Sequence, residues 1–498
     1  MKTIKHWING APHDAPPART APVYDPATGG QTARVALAGA AEIDAAAEAA
    51  RAAFPAWRDT PLTQRQNLMF EARRLLVERR EAMARAITAE HGKTLDDARG
   101  EVQRGLEVVE FACNIAHQLK GEYSEQVSTG VDTYTLRQPL GVVAGVSPFN
   151  FPAMVPMWMW PVAVACGNAF VLKPSEKAPS ASVLTARLLA DAGFPPGVFN
   201  VVHGDKEAVD LLLDHAGVAA VSFVGSTPVA RQVYEKGTRG GKRVQALGGA
   251  KNHMVVLPDA DMELAADAAV SAAYGSAGER CMAISVVVAV GDAGDRLLPK
   301  VQERLRALKV GAGSAEGSEM GPLITPEHRD RVLERIGAGE REGAVLLEDG
   351  RGCRPAGCEN GFFVGPTLFD RVTPEMSVYR DEIFGPVLST VRLGSYEEAI
   401  ALVNANPYGN GTAVFTHDGG AARQFQREIQ VGMVGINVPI PVPLAFYSFG
   451  GWKQSIFGDH PVYGPEGVHF YTRQKVVISR WPDPRHRGVD LGFPRHDG

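Results

Sequence analysis

From residue 140 onward, short apolar runs alternate with stretches of helical composition, and this alternation restricts the fold more than any other feature of the sequence. The first apolar runs are LGVVAGV, AFVLK, VFNVV, AAVSFVG and RVQALGG, and the stretches predicted as helices are 153–165, 179–192, 205–214 and 226–236. Apolar strands separated by helices of this length are typical of a parallel sheet covered on both faces. The sequence therefore predicts a doubly wound α/β domain of the dinucleotide-binding type.

A second alternating series follows the first. Its apolar runs are HMVVLP (253–258), ISVVVAV (284–290), PVLSTVRL (386–393), GTAVFT (411–416) and MVGIN (433–437). A chain of 498 residues is too long for one hydrophobic core. We therefore expect a second α/β lobe, with a ligand cleft between the two lobes.

The first 121 residues are predicted to be mostly helical. Residues 41–53 favour a helix by composition, and a longer helix is expected from an N-cap at Thr60, with Pro61 at its first position, to His91 and Gly92. A third helix is predicted over 94–120. The polar run 122–137, split by Gly130, instead favours a two-stranded ribbon whose edges need cover, and an oligomer contact is one way to provide it.

Charge and composition exclude several classes of partner. The net charge is −5 and no long basic run occurs, so small molecules are better candidate ligands than nucleic acid.

No segment reaches ~18 uninterrupted apolar residues, and the start MKTIKHWING lacks the apolar core of a signal peptide. The five cysteines are scattered and odd in number, which indicates a reducing compartment, and we expect a cytoplasmic protein. No cluster of metal-ligand spacing occurs, and no metal is expected.

One cysteine stands out in the stretch GERCMA (278–283). Free cysteines are often buried as small apolar groups. Cys281, however, follows a cation and lies among small residues at the expected start of a short helix, and these features favour a reactive thiolate. The local sequence leaves packing and nucleophilic chemistry about equally supported.

Three turns follow predicted parallel strands, where open α/β sheets bind ligands. They are SPFNFP (147–152), KPSEKAP (173–179) and FVGSTPVA (223–230). Gly225 and Ser226 precede a predicted helix and could present backbone N–H groups to a phosphate, but the turn taken alone favours an ordinary helix cap. Lys173 and Glu176 lie where a ribose is expected, and their alternative is a solvated charged loop. The G-x-G-x-x-G fingerprint is absent.

Taken together, the order and spacing of these motifs resemble the aldehyde dehydrogenase superfamily. The matching stretches are PFNFP, KPSE, FVGST, ALGG, GERC, GPLI, GPT, EIFGPV and YGN. The resemblance implies an NAD-binding domain (1–121 and 138–249), a catalytic domain with the nucleophilic cysteine (250–440), and an oligomerisation ribbon with a C-terminal arm (122–137 and 465–498). It also implies a homo-oligomer that is a dimer of dimers.

The resemblance also implies roles for individual residues. Cys281 attacks the aldehyde carbon, and Asn150 stabilises the resulting oxyanion together with the Cys281 backbone N–H. The residues expected to contact the NAD cofactor are Phe149, Lys173, Glu176, Gly225, Ser226, Glu382 and Phe384. A carboxylate at Glu176 would repel a 2′-phosphate, which favours NAD over NADP.

The sequence departs from the hydrolytic members at ALGG, since they carry Glu where this chain has Ala246. That glutamate activates water, and alanine cannot accept a proton. The strings QALGGAKNHMVVLPDAD, RGLEVVEFAC, GERCMA and VPLAFYSFGGWKQSIFGD are similar to the coenzyme A-acylating methylmalonate-semialdehyde dehydrogenases. This subgroup converts methylmalonate or malonate semialdehyde to propionyl- or acetyl-CoA with loss of carbon dioxide or bicarbonate. A hydrolytic enzyme using another base and a catalytically idle relative remain as alternatives.

Two arginines are candidates for the substrate carboxylate, because a guanidinium binds a carboxylate bidentately. Arg280 is adjacent to Cys281, and Arg104 lies in the helix expected to line the substrate entrance; both match carboxylate-binding positions of the subgroup. Without the resemblance, Arg104 reads as a surface residue of a helix. At the phosphate turn, Ala230 replaces a glycine of many relatives, and we expect this change to loosen the diphosphate contact.

Overall fold

The computed structural model describes residues 1–481. Its strands are β1 Lys2–Ile4, β2 Trp7–Ile8, β3 Ala11–Pro12, β4 Arg19–Asp25, β5 Gly30–Leu37, β6 Tyr123–Ser128, β7 Val131–Pro139, β8 Val142–Val146, β9 Ala169–Lys173, β10 Phe199–Val201, β11 Val218–Val224, β12 Arg243–Leu247, β13 Asn252–Val256, β14 Ile284–Val290, β15 Val345–Glu348, β16 Thr367–Asp370, β17 Val387–Leu393, β18 Tyr408–Gly409, β19 Gly411–Phe415, β20 Met433–Ile436, β21 Trp452–Lys453, β22 Ile456–Phe457 and β23 Thr472–Arg480.

The helices alternate with these strands after residue 140, as the sequence predicts. They are α1 Ala40–Asp59, α2 Leu62–Glu78, α3 Arg80–His91, α4 Leu95–Cys113, α5 Ile115–Gln118, α6 Met154–Ala165, α7 Ser180–Asp191, α8 Lys206–Asp214, α9 Thr227–Arg239, α10 Met262–Tyr274, α11 Ala293–Ala307, α12 Pro326–Arg341, α13 Ser377–Arg380, α14 Tyr396–Ala405, α15 Gly419–Glu428 and α16 Gly464–Tyr471. Within residues 1–481, no helix combines the length and hydropathy needed to cross a membrane.

The first lobe is built on an eight-stranded sheet in the order β22-β12-β11-β8-β9-β10-β2-β3. The five central strands run parallel, in agreement with the prediction of a doubly wound domain. The chain leaves β8 toward β9 on one side and reaches β11 on the other, so the strand order reverses beside β8. Ligands of open α/β sheets bind at the carboxyl end of such a switch point, where residues 147–152 lie.

The second lobe has a seven-stranded sheet in the order β15-β16-β17-β14-β13-β19-β20. Six of these strands are parallel, and β15 pairs antiparallel at one edge. All five apolar runs predicted for this lobe form strands of the sheet. The α/β fold class with two doubly wound lobes is confirmed, whereas the domain boundaries given above stay predictions.

The predicted ribbon has a third strand that the sequence analysis did not foresee. β23, from the C-terminal part of the chain, pairs antiparallel with the whole of β7, giving the order β23-β7-β6. Apolar side chains of this sheet are exposed, including Leu136, Val476 and Ile478. The predicted C-terminal arm is described to residue 481, and its remaining residues, 482–498, lie outside the described part of the chain.

The N-terminal helices differ from the predictions at their ends. The helix expected over 60–91 is two helices, α2 and α3, divided at Arg79, whose ψ of 9° is not helical. The N-cap of α2 is Pro61 rather than Thr60, because Pro61 has an extended ψ of 144°. The helix expected over 94–120 ends at Cys113 and is followed by the short α5. Such local breaks depend on backbone angles that composition does not specify.

Candidate active site

Asn150 lies in the loop after β8, at the switch point of the first sheet. Its side chain is buried, and its Nδ2 donates a 2.9 Å hydrogen bond to the main-chain oxygen of Glu279. The main-chain oxygen of Asn150 accepts a 2.7 Å hydrogen bond from Lys93 Nζ. The amide of Asn150 is therefore fixed against the segment of the second lobe that carries Cys281.

Cys281 lies in a turn between a 3₁₀ helix, Gly275–Gly278, and β14. Its main-chain oxygen accepts hydrogen bonds from Asn252 Nδ2 (2.9 Å) and Asn410 Nδ2 (3.2 Å). Gly278 has a φ of +74°, and a Cβ there would lie 2.1 Å from the main-chain oxygen of Gly385. The loop before the cysteine is thus closely packed, and only glycine fits at 278.

The short helix expected to start at Cys281 is not there, because the 3₁₀ helix Gly275–Gly278 precedes the cysteine. The prediction of a helix start at this position is therefore wrong, whereas the adjacent cation is present at Arg280 and lowers the pKa of the thiol. Desolvation between the lobes, followed by the charge of the neighbouring Glu382 carboxylate, raises the pKa of the Cys281 thiol to about 12. Arg280 and the backbone N–H groups of Cys281 and Met282 lower the pKa, but they do not offset the burial. Burial therefore favours the neutral thiol.

A cleft of about 600 Å³ lies between the lobes and ends at Cys281. It brings together nine of the eleven residues singled out from the sequence: Phe149, Asn150, Lys173, Glu176, Gly225, Ser226, Cys281, Glu382 and Phe384. These residues come from the ends of three parallel strands of the first lobe and from two loops of the second. The two arginines expected to bind substrate do not line this cleft.

The groups along this cleft could hold a dinucleotide. At one end, Lys173 Nζ donates to the main-chain oxygen of Gly204 (2.8 Å) and lies 3.8 Å from the partly exposed Glu176 carboxylate, a donor and acceptor pair that suits ribose hydroxyls. Ser226 is the exposed N-cap residue of α9 and makes no side-chain cap bond, which leaves this helix start open to an anion. Ala230 is fully buried in the core and does not line the cleft, and the expected loosening of the diphosphate contact stays a prediction.

The Glu382 carboxylate closes the cleft near Cys281. Its Oε1 accepts the backbone N–H of Ala250 (3.0 Å), and burial raises the pKa of its carboxyl to about 7. A Cβ on Gly249 would lie 2.2 Å from the other carboxylate oxygen of Glu382, so the glycine is needed for this close approach. Phe384, at a φ of +57°, packs edge-on against Phe149 with ring centres 6.0 Å apart.

Arg280 contacts α4 near its start, and Arg104 lies about two turns later on the same helix. Arg280 Nη2 forms a 2.8 Å ion pair with Asp97, near the start of that helix, and its guanidinium rests against Gly275. Arg104 donates to Glu107 (2.7 Å) and to the main-chain oxygen of Pro443 (3.0 Å). Arg104 and the nearly buried Tyr463 share that acceptor, since the Tyr463 hydroxyl also donates to Pro443 O (3.1 Å). Each arginine therefore has an acidic neighbour, Asp97 for Arg280 and Glu107 for Arg104.

The residues paired with Ala246 on the two adjacent strands are not ionisable. Ala246 is fully buried in β12, where its register partners are Phe223 of β11 and Phe457 of β22. In the superfamily that the sequence resembles, hydrolytic members are expected to carry a general base at this position. In this chain the position is apolar.

Several buried polar residues near the site were missed by the sequence analysis. Lys93 and Glu101 form an ion pair beneath the Asn150 loop, and the Glu279 carboxyl lies between His91 and His328. Burial raises the pKa of Glu279 to about 8. No sequence signal marked these residues, because a charged residue on a predicted helix or loop is expected to be exposed unless the tertiary contacts are known.

The site and fold define an aldehyde dehydrogenase: the profile of the aldehyde dehydrogenase family matches residues 13–477, and the chain belongs to this family. It is 55% identical to the malonate-semialdehyde dehydrogenase of Pseudomonas aeruginosa over 496 residues, covering 99% of this chain and all of the relative. It is 47% identical to the mouse mitochondrial methylmalonate-semialdehyde/malonate-semialdehyde dehydrogenase [acylating], covering 97% of this chain and 90% of that protein.

Solved structures agree with this relationship. The crystal structure of the methylmalonate-semialdehyde dehydrogenase of Oceanimonas doudoroffii superposes with a TM-score of 0.96 at 52% identity, covering 97% of this chain and 99% of that chain. A structure from Sinorhizobium meliloti 1021 that is complexed with NAD has the same TM-score at 50% identity and the same coverage. The resemblance found in the sequence is confirmed.

Proposed function

We propose that this protein oxidises malonate semialdehyde and methylmalonate semialdehyde with NAD and transfers the acyl group to coenzyme A. One observation carries the proposal: a cysteine and an oxyanion donor meet at the end of a dinucleotide-sized cleft, while the position of the hydrolytic base is the buried, apolar Ala246. The printed activities of the relatives from Pseudomonas aeruginosa and mouse support the substrate class. The word acylating in the mouse relative's name supports the role of coenzyme A.

In the proposed acylation, the Cys281 thiol gives its proton to solvent, its sulfur attacks the aldehyde carbon, and the carbonyl oxygen becomes an alkoxide. Asn150 Nδ2 and the Cys281 backbone N–H donate to that oxygen, with Asn150 already aimed at this loop. NAD supplies the acceptor for the hydride of the aldehyde carbon when it is bound. Phe149, Lys173, Glu176, Gly225, Ser226, Glu382 and Phe384 are the residues that would hold it. The product of this half-reaction is a thioester on Cys281.

The proposed deacylation follows from the absence of a base at 246. Water needs a general base to attack a thioester, whereas a thiol is already partly ionised near neutral pH. The coenzyme A thiolate attacks the thioester carbon, Cys281 leaves as the thiolate, and the acyl group departs as acyl-CoA. The β-carboxylate of the acyl group leaves as carbon dioxide or bicarbonate, and a proton takes its place on carbon.

A β-carboxylate needs a cation in the substrate site, and Arg280 and Arg104 are the proposed donors. Arg280 uses one nitrogen for Asp97, and the structure of residues 1–481 gives no hydrogen-bond acceptor for its Nε and Nη1. Nε and Nη1 face different edges of the guanidinium, so each could donate a single hydrogen bond to a substrate carboxylate.

Product analysis with and without coenzyme A tests the proposal. We expect malonate semialdehyde and NAD alone to give one burst of NADH per active site, and added coenzyme A to restore turnover with acetyl-CoA as product. Sustained turnover to malonate without coenzyme A would overturn the acylating assignment. It would favour a hydrolytic enzyme in which another carboxylate serves as base, and Glu382 is the candidate because it lines the cleft with Cys281.

Three further features remain proposals. The exposed apolar side chains of the β23-β7-β6 sheet support its use as a contact between subunits, and light scattering of the purified protein would distinguish a dimer from the proposed dimer of dimers. A cytoplasmic location stays a prediction. A catalytically idle relative is excluded if Cys281→Ala abolishes NADH formation, and unchanged NADH formation in that variant would favour it.

A further inference from the structure

A fully buried ion pair lies beneath the loop that carries Asn150. Lys93 follows the C-terminal glycine of α3, and Glu101 lies on the buried face of α4. Lys93 Nζ and Glu101 Oε2 are 2.8 Å apart, and both side chains have no solvent exposure. Removing two charges from water costs several kcal/mol per ion. A pair of apolar side chains at these two positions would stabilise the fold at least equally, so fold stability does not explain why this pair is charged.

The remaining hydrogen bonds of the pair go to the main chain on both sides of the loop. Lys93 Nζ donates to the main-chain oxygen of Asn150 (2.7 Å) and lies 4.0 Å from the ring centre of Phe151. Glu101 Oε1 accepts the backbone N–H groups of Ala153 (2.8 Å) and Met154 (3.1 Å), where α6 begins. The cation therefore holds the start of the segment 150–154, and the carboxylate holds its end.

We propose that Lys93 and Glu101 are positioning residues for the oxyanion site, because together they fix the main chain of Asn150 so that its side-chain amide meets the Cys281 loop. The inference rests on the proposed role of Asn150. The amide of that residue reaches Glu279 O at 2.9 Å, and its backbone has only a short loop between β8 and α6 to hold it. Sub-ångström placement of oxyanion donors strongly affects rate, so a residue that fixes Asn150 contributes without touching substrate.

The test is a double-mutant cycle on the rate of the NADH burst. Lys93→Met/Glu101→Leu removes both charges together, so that no unpaired buried charge remains to unfold the protein. We expect this variant to lose about 10- to 100-fold in burst rate in the parent background. In the Asn150→Ala background, we expect the same pair of substitutions to cost less than about threefold, because residues that act through one group are not additive.

A second readout needs no cofactor. Alkylation of Cys281 by iodoacetamide develops no oxyanion, so we expect its rate in Lys93→Met/Glu101→Leu to stay within about twofold of the parent. The matched control is Arg73→Met/Glu110→Gln, which removes a half-exposed ion pair between α2 and α4 (2.6 Å) and should leave both rates unchanged. If the double variant does not fold, Glu101→Gln keeps the size of the side chain, and we expect it to lose about threefold or more in burst rate.

The outcomes separate the inference from the proposed function. An unchanged burst rate, an equal loss in the Asn150→Ala background, or an equal loss of alkylation rate would each overturn the positioning role of Lys93 and Glu101. A full burst rate in Asn150→Ala alone would overturn the oxyanion role of Asn150 and with it this inference.

Discussion

The side-chain amide of Asn150 donates a 2.9 Å hydrogen bond to the main-chain oxygen of Glu279, two residues before Cys281. This bond joins the loop after β8 of the first lobe to the loop before β14 of the second. The two lobes therefore meet at the atoms that the proposed chemistry uses. A displacement of either loop would separate the oxyanion donor from the sulfur.

Asn150→Ala should lower kcat/KM for aldehyde about 10²- to 10³-fold, the usual effect of removing one oxyanion donor. NAD affinity should be unchanged, since the side chain does not reach the ribose end of the cleft. Burst kinetics with malonate semialdehyde measure the first quantity, and fluorescence titration with NAD measures the second. A loss confined to NAD binding would contradict the oxyanion role.

Glu382→Gln should make the Cys281 thiol more reactive in the absence of cofactor. The Glu382 carboxylate is one of the groups that raise the pKa of this thiol, and its removal should lower that pKa. Because the pKa of Glu382 is itself raised to about 7, the difference should appear above pH 7 and disappear as pH falls and the carboxyl becomes neutral. The rate of iodoacetamide alkylation between pH 6 and pH 9 measures this effect.

The control for that experiment is Glu176→Gln, which removes a carboxylate from the far end of the same cleft. Its alkylation profile should match the parent. If Glu176→Gln and Glu382→Gln shift the profile equally, the effect is one of net charge and not of the contact with Cys281.

Arg280→Leu should reduce kcat/KM for malonate semialdehyde by about 30-fold or more, while propionaldehyde loses much less. The physical reason is that a desolvated carboxylate without its cationic partner costs about 2–5 kcal/mol. The same substitution leaves Asp97 without its ion pair, so Arg280→Leu/Asp97→Asn is the matched variant that isolates the substrate effect from stability. Equal losses for the two aldehydes would remove Arg280 from the carboxylate role, and Arg104→Leu would then be the next variant to test.

Glu279→Gln should stabilise the protein increasingly as pH rises. The pKa of this carboxyl is raised by burial to about 8 in the folded protein, above its ordinary value of 4.5. The folded state therefore binds more protons than the unfolded state between these values, and stability falls as pH rises through this window. Above about pH 8 the folded protein bears the full free-energy cost of ionising the buried Glu279 carboxyl. A glutamine does not ionise, so the variant does not bear this cost.

Thermal unfolding at pH 5, 7 and 9 measures this difference. The groups that face Glu279 do not reverse the sign: burial lowers the pKa of His91 and His328, which are neutral in this range, and Lys93 and Lys177 offset only part of the burial. A melting temperature difference between Glu279→Gln and the parent that does not change with pH would contradict the prediction.

The sequence was sufficient for the fold class, and most of the candidate site residues that it indicated line one cleft. Alternating apolar runs predicted both sheets because the pattern of a buried strand is a local property of the chain. The turns at strand ends placed Asn150, Lys173 and Ser226 at one edge of the sheet, and the structure brings them together in one cleft. The third strand of the ribbon was not predicted, because β23 is more than 300 residues from β7 along the chain, as Thr472 and Arg137 show.

By itself, the sequence determined that the chain forms two doubly wound lobes, and it indicated Asn150, Cys281 and Glu382 as candidate site residues. Only the tertiary structure decided the protonation of Cys281 and Glu279 and the burial of Lys93 with Glu101. The physical reason is desolvation, which depends on all groups that surround an atom. The residues that hydrogen-bond with Asn150 lie 57 and 129 residues away along the chain. A local sequence pattern therefore cannot show which charged groups are buried beside Asn150.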